Sequence, residues 1–116
     1  MITENRLTAY INSLDQGDGE LIEQIAETAV KNRVPIIRRE TASLLKTMVT
    51  LVAPNRILEV GTAVGYSALL MASVMPKECR ITTIEKYEKR IPIARENFRR
   101  AGRENQITLL EGDAAD

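Results

Sequence analysis

The sequence predicts an α/β fold: a parallel sheet that runs as far as its third strand, preceded by an amino-terminal helical segment. From residue 54 onward, short β-branched runs alternate with helical runs, the pattern of parallel strands joined by right-handed crossovers. A glycine-bearing turn, Gly61 to Gly65, joins the first of these strands to its helix. Before residue 54 the apolar positions recur only at helical spacing. Residues 1–53 are therefore read as a helical segment and 54–116 as the first half of an α/β core, one incomplete domain in all.

Taken in order, residues 4–14 read as a short amphipathic helix with Leu7, Tyr10, Ile11 and Leu14 on one side, and Asp15-Gln-Gly-Asp-Gly19 as a turn. A second helix, 20–32, places Leu21, Ile22, Ile25, Ala26 and Ala29 at helical spacing. Pro35 interrupts, because the residue before a proline is pushed out of the helical region. A third helix follows at 38–52, with Leu44, Leu45, Met48, Val49, Leu51 and Val52 expected on its buried face, and Ala53-Pro-Asn55 ends it. Residues 57–60 read as a buried parallel strand closing at Gly61. Residues 66–75 are apolar almost all round, as suits a helix packed on a sheet. The run 81–84 is a second strand ending at Glu85. The helix at 89–101 turns Ile91, Ala94, Phe98 and Ala101 inward, with Pro92 near its first turn and Gly102 at its cap. A third strand, 107–110, leads into Glu111-Gly-Asp-Ala114. A doubly wound sheet has strands on both sides of its first. The sheet is thus expected to be truncated after its third strand, leaving one flank of the first uncovered.

Composition narrows the class. A chain of 116 residues allows one domain, and 44% hydrophobic with 28% charged residues is ordinary for a soluble globular protein. Sixteen basic residues balance sixteen acidic ones, which gives no hint of a polyanionic partner but permits a local basic patch. The single Cys79 excludes an internal disulfide, fits a reducing compartment and is expected to be inert. Neither a signal peptide nor a bilayer-length apolar run is apparent, so a cytoplasmic protein off the membrane is expected. Histidine is missing from the sequence, and with it the commonest general base and zinc ligand.

The chemistry concentrates in Glu59-Val-Gly-Thr-Ala-Val-Gly-Tyr-Ser67, between a strand and a helix. Gly61 lets the chain turn at the strand end and Gly65 permits close approach as the helix starts. Ligands bind at such strand ends in open α/β sheets. A dinucleotide site wants a glycine where Ala63 stands and another where Tyr66 stands, and Glu59 would repel a pyrophosphate. A carboxylate there suits a cation. The methionine ammonium of S-adenosylmethionine (SAM) is such a cation, and SAM carries no phosphate. The helix N-terminus with the Ser67 hydroxyl would receive the methionine carboxylate. Glu85 stands where an acidic side chain accepts hydrogen bonds from ribose hydroxyls. Asp113 and Ala114 would meet the adenine amino group and a ring nitrogen. Blander readings stand beside these: Ser67 as an ordinary first-turn residue, Asp113 as an N-cap, and Glu59 and Glu85 as surface carboxylates.

The run Arg56-Ile-Leu-Glu-Val-Gly-Thr-Ala-Val-Gly-Tyr-Ser-Ala68 resembles the SAM motif of the catechol and caffeoyl-CoA O-methyltransferase family, which is Rossmann-like and metal-dependent. Together with Val34-Pro-Ile-Ile37 it is similar to the bacterial members that methylate 5-hydroxyuridine in tRNA. The resemblance implies that Glu59 holds the methionine ammonium, Ser67 its carboxylate, Gly61 the methionine portion, Glu85 the ribose, and Asp113 and Ala114 the adenine. Ile37 would cover the cofactor, though an apolar residue there serves equally as a core contact. The resemblance also implies Mg2+, whose ligands, with the catalytic lysine, fall after the fourth strand in that family and beyond residue 116 here. No catalytic and no metal-binding residue is expected in this sequence, and methyl transfer by these 116 residues alone is not expected.

Three rivals stay open: a small phenol or catechol as acceptor instead of tRNA, a non-catalytic SAM-binding module, and an NAD-type half-domain. Arg38, Arg39, Lys86, Lys89, Arg90, Arg95, Arg99, Arg100 and Arg103 could supply a basic surface for tRNA, while Arg95, Arg99 and Arg100 read better as solvated helix faces. The apolar stripe of residues 4–14 would cover the cofactor side or make a homodimer contact.

Overall fold

The computed structural model describes residues 19–115; the helix expected at 4–14, with its apolar stripe, lies outside them. Helices α1 (Glu20–Lys31) and α2 (Arg39–Val52) precede β1 (Arg56–Val60), α3 (Tyr66–Val74), β2 (Arg80–Glu85), α4 (Ile91–Arg100) and β3 (Ile107–Glu111). The three strands form one parallel sheet in the order β1-β2-β3. Glu59 lies beside Thr83, Thr83 beside Leu109, and Glu85 beside Glu111. This is the expected α/β architecture, with each boundary within two residues of its expected place.

Alternation along the strands divides the sheet into two unlike faces. Ile81, Thr83, Glu85, Ile107 and Leu109 are buried, with Ile57 and Glu59 partly so. On the opposite face Leu58 is 69% exposed, Val60 66% and Leu110 48%, so among the described residues the helices cover one face only. The buried face packs against α3, where Ala68, Leu69, Leu70 and Ala72 are all sealed from solvent. A helix apolar all round belongs in such a place. Helix α4 lies against the same core through Ile91, Ala94 and Phe98, and Pro92 sits in its first turn, where a missing N–H costs least. Cys79, free and fully buried, precedes β2. No helix among the described residues is long and apolar enough to cross a membrane.

Helix α2 departs from expectation. Leu44, Met48, Leu51 and Val52 are exposed, whereas Ala42, Ser43 and Val49 are buried and Leu45 is partly so. The helix carries two apolar stripes, 42-45-49 and 44-48-51, each with acceptable helical spacing. It packs on α3 through the first, which begins with small side chains at the contact.

Gly65, at φ +89°, begins α3 in the left-handed region. A Cβ there would come within 2.5 Å of the Phe98 ring. The close approach permitted by this glycine is therefore to α4. Gly65→Ala should cost about 2–5 kcal/mol, the sum of roughly 1–2 kcal/mol for left-handed backbone and 1–3 for overpacking. Urea unfolding of the protein and the variant measures this, and a loss below about 1 kcal/mol would contradict the packing described.

Candidate functional site

The chain leaves β1 through a turn held to the neighbouring strand. The amides of Gly61 and Thr62 donate to the Ile84 carbonyl at 2.8 and 3.2 Å, and that of Gly65 donates to the Thr62 carbonyl at 2.9 Å. Gly61 has φ +91°, and a Cβ there would meet nothing within 4 Å, so the turn opens outward at this point. Ala63 has φ +49°, which costs an L-residue roughly 1–2 kcal/mol. Its amide donates to Glu85 Oε1 at 2.7 Å. Such a bond to a charged group contributes about 1.5–3 kcal/mol, enough to offset the strain. The second Glu85 oxygen accepts from the Tyr87 amide at 2.9 Å. Glu85, 6% exposed, thus anchors two loops, a structural role that sequence reasoning did not foresee. An ionised carboxylate offers about four lone-pair sites, so roughly two remain for another donor.

Glu59 is half-buried at the end of β1 and is pinned at both oxygens. The Thr83 hydroxyl donates to Oε1 at 2.7 Å, and the Ser67 hydroxyl donates to Oε2. Behind Thr83 lies the Thr62 hydroxyl at 2.7 Å, and both threonines are sealed from solvent. Burial pushes the Glu59 carboxyl above the ordinary value of 4.5; the Ser67 and Thr83 hydroxyls partly counter this, and the Glu85 carboxylate adds to the rise. Among the described residues the arrangement is a carboxylate with two hydroxyl donors and no positive partner.

Beside it Pro35, Ile36 and Ile37, from the connection between α1 and α2, face Gly61, Thr62, Ala63, Tyr66 and Ser67 across a cavity of about 270 Å³. The structure thus brings Ile37, Gly61 and Ser67 together, with Glu59 hydrogen-bonded to Ser67. A second cavity of about 440 Å³ lies at the ends of β2 and β3, lined by Lys86, Glu88, Ile91, Pro92, Glu111 and Gly112. Asp113 and Ala114 follow that wall and are exposed. Asp113 accepts the Ala115 amide at 2.9 Å and lies 3.9 Å from Lys86 Nζ, so its carboxylate serves the local turn.

Among the described residues no group of three or more His, Cys, Asp or Glu could hold a metal ion, so none is assigned to Mg2+. The basic helix face is partly committed. Arg99 pairs with Glu96, Arg95 lies 4.0 Å from Glu111, and Arg90 stacks over the Tyr87 ring at 5.0 Å. Thr62, Thr83 and the buried Asn97, which donates to the Val64 carbonyl at 2.8 Å, were missed from sequence. Strand parity, which puts Thr83 on the face of Glu85, was the available signal for the second of these.

The chain matches the O-methyltransferase family over residues 12–116. Over 72 residues it is 38% identical to the catechol O-methyltransferase of Niastella koreensis, covering 62% of this chain and 33% of that one. A Staphylococcus aureus structure provisionally assigned as a caffeoyl-CoA O-methyltransferase is similar at a TM-score of 0.83 and 37% identity, covering 94% of this chain and 52% of its own. The SAH-bound methyltransferase PaMTH1 of Podospora anserina gives a TM-score of 0.83 at 28% identity, covering 97% of this chain and 50% of its own. The chain therefore spans about a third of that curated relative and about half of these solved chains.

The raised Glu59 carboxyl has a measurable consequence. Below about pH 4.5 the folded and unfolded states both hold this proton and its contribution is fully present; as pH rises through the folded value, the unfolded state ionises more readily and stability falls. Glu59→Gln lacks this titration. Unfolding free energies of the two proteins across that window should diverge, the wild type losing stability relative to the variant as pH rises. Parallel curves would contradict a carboxylate destabilised by partial burial.

Proposed function

Because the chain belongs to the O-methyltransferase family, we propose that its loop from Gly61 to Ser67 holds SAM for methyl transfer to an acceptor hydroxyl. The observation that carries this reading is Glu59: a half-buried carboxylate with two hydroxyl donors, spare lone pairs and no positive partner among the described residues, beside an open turn. It suits an ammonium. Ser67, on the first turn of α3, stands at a helix N-terminus, where backbone N–H groups favour an anion such as the methionine carboxylate. Gly61 leaves room for the methionine chain, and Ile37 closes the far wall. The remaining Glu85 lone pairs would take the ribose hydroxyls, with Asp113 and Ala114 about the adenine. When bound, SAM supplies an electrophilic methyl on a sulfonium. The share of these residues is to fix the donor's position and orientation, which lowers the entropic part of the barrier.

For the acceptor, a small hydroxylated aromatic is the reading that the catechol O-methyltransferase of Niastella koreensis supports. The internal pairing of Arg95 and Arg99 favours it over a polyanion. The alternative, 5-hydroxyuridine in tRNA, is supported by the resemblance of Val34 to Ile37 and by exposed Arg38, Arg39 and Lys89. Transfer assisted by Mg2+ belongs to the same proposal, with its ligands outside these residues. The buried free thiol of Cys79 suits a reducing compartment, and the cytoplasm is the proposed location.

Calorimetric titration with S-adenosylhomocysteine (SAH) should show binding that Glu59→Gln weakens about tenfold or more, the scale of a lost bond between charged groups. NAD should not displace SAH. Unchanged affinity in Glu59→Gln, or displacement by NAD, would overturn the assignment. tRNA affinity that falls steeply and linearly with the logarithm of salt concentration would select the tRNA acceptor; weak, salt-insensitive binding would select the small phenol.

A further inference from the structure

We propose that Thr83, backed by Thr62, is a positioning residue that sets the Glu59 carboxylate for cofactor recognition; the inference rests on the SAM reading above. Thr83 is 0% exposed and so cannot itself touch a ligand in the cleft. It lies directly opposite Glu59 in the β1–β2 register and donates to Oε1 at 2.7 Å. A hydroxyl has one proton to give. With that proton on Glu59, the contact of 2.7 Å between the two threonines has to run from the Thr62 hydroxyl to the Thr83 oxygen. The chain of donors is therefore directional: Thr62 to Thr83 to Glu59.

Each link ties a different element to the carboxylate. Thr62 belongs to the turn, and its amide is bonded to the Ile84 carbonyl of β2. Thr83 belongs to β2, and Ser67, on the other carboxylate oxygen, to α3. Held at one oxygen only, a glutamate side chain keeps torsional freedom that binding must then remove. Held at both, it presents its two spare lone pairs in one direction before the cofactor arrives, which is how preorganisation raises affinity. The bland account is that a strand threonine satisfies a buried hydroxyl with the nearest acceptor. That account predicts a loss of stability and no selectivity for the amino-acid end of the ligand.

The test uses two probes that share the nucleoside: SAH, and 5′-methylthioadenosine, which lacks the amino-acid ammonium. Thr83→Val removes the hydroxyl at nearly constant shape, and Thr83→Ser retains it. By calorimetry Thr83→Val should weaken SAH about tenfold and 5′-methylthioadenosine by less than about twofold, on the scale of a hydrogen bond to a charged group. Thr83→Ser should bind SAH as the wild type does. Thr62→Val, which breaks the chain one link back, should show the same selectivity at about threefold, and stands in if Thr83→Val does not fold. Equal losses on both probes, or none on either, would overturn the proposal. Should Glu59→Gln leave SAH affinity unchanged, the SAM reading itself fails; if Glu59→Gln weakens SAH while Thr83→Val and Thr62→Val do not, the positioning role alone fails.

Discussion

The hydrogen bond from the Ala63 amide to the Glu85 carboxylate holds the turn on which the candidate site is built. Without a strong acceptor at that point, an alanine has little reason to stay in the left-handed region, and the route from β1 into α3 would have to change. With it, Thr62 is delivered to the buried face beside Thr83, Gly61 is left open to solvent, and Gly65 is brought against Phe98. Glu85 is thereby spent in part on architecture. Any loss of ligand affinity on removing its side chain mixes a direct contact with a displaced loop.

Glu59 and Glu85 sit on the same face of the sheet, one strand apart, and are satisfied in opposite ways. Glu85 accepts two backbone amides, which are fixed parts of the fold. Glu59 accepts two side-chain hydroxyls, which orient the carboxylate without supplying charge. Burial therefore leaves Glu59 raised, and a ligand cation would relieve what the protein does not. An NAD-type reading needs the reverse, a phosphate-welcoming turn, and a half-buried carboxylate at the end of β1 opposes it.

Most of the architecture was legible because each element obeys one local rule. Tyr66 follows a left-handed glycine, Pro92 lies in a first turn, and the strands are short β-branched runs ended by Gly61, Glu85 and Glu111. The buried face of α2 was not legible. Two stripes shared the helical period, and the choice between them was made by how closely α2 approaches α3, a tertiary fact. Of the candidate site, the strand-end carboxylates Glu59 and Glu85 were singled out by order and spacing, and Ile37 by the resemblance alone. The threonine chain could not, because it depends on the pairing register of β1 with β2, which periodicity alone leaves open. The second duty of Glu85 was hidden for a similar reason: it depends on the backbone angle of Ala63.

The recognition of an ammonium by Glu59 is the central claim, and a crystal structure of the protein with SAH tests it most directly. The account predicts the SAH amino nitrogen within hydrogen-bonding reach, about 2.7–3.2 Å, of the Glu59 carboxylate. The Thr83 and Ser67 contacts to Glu59 should flank it, with the methionine chain over Gly61. SAH seated elsewhere, for instance between α1 and α4 beside Asn97 and Arg100, or with its amino group away from Glu59, would contradict the account.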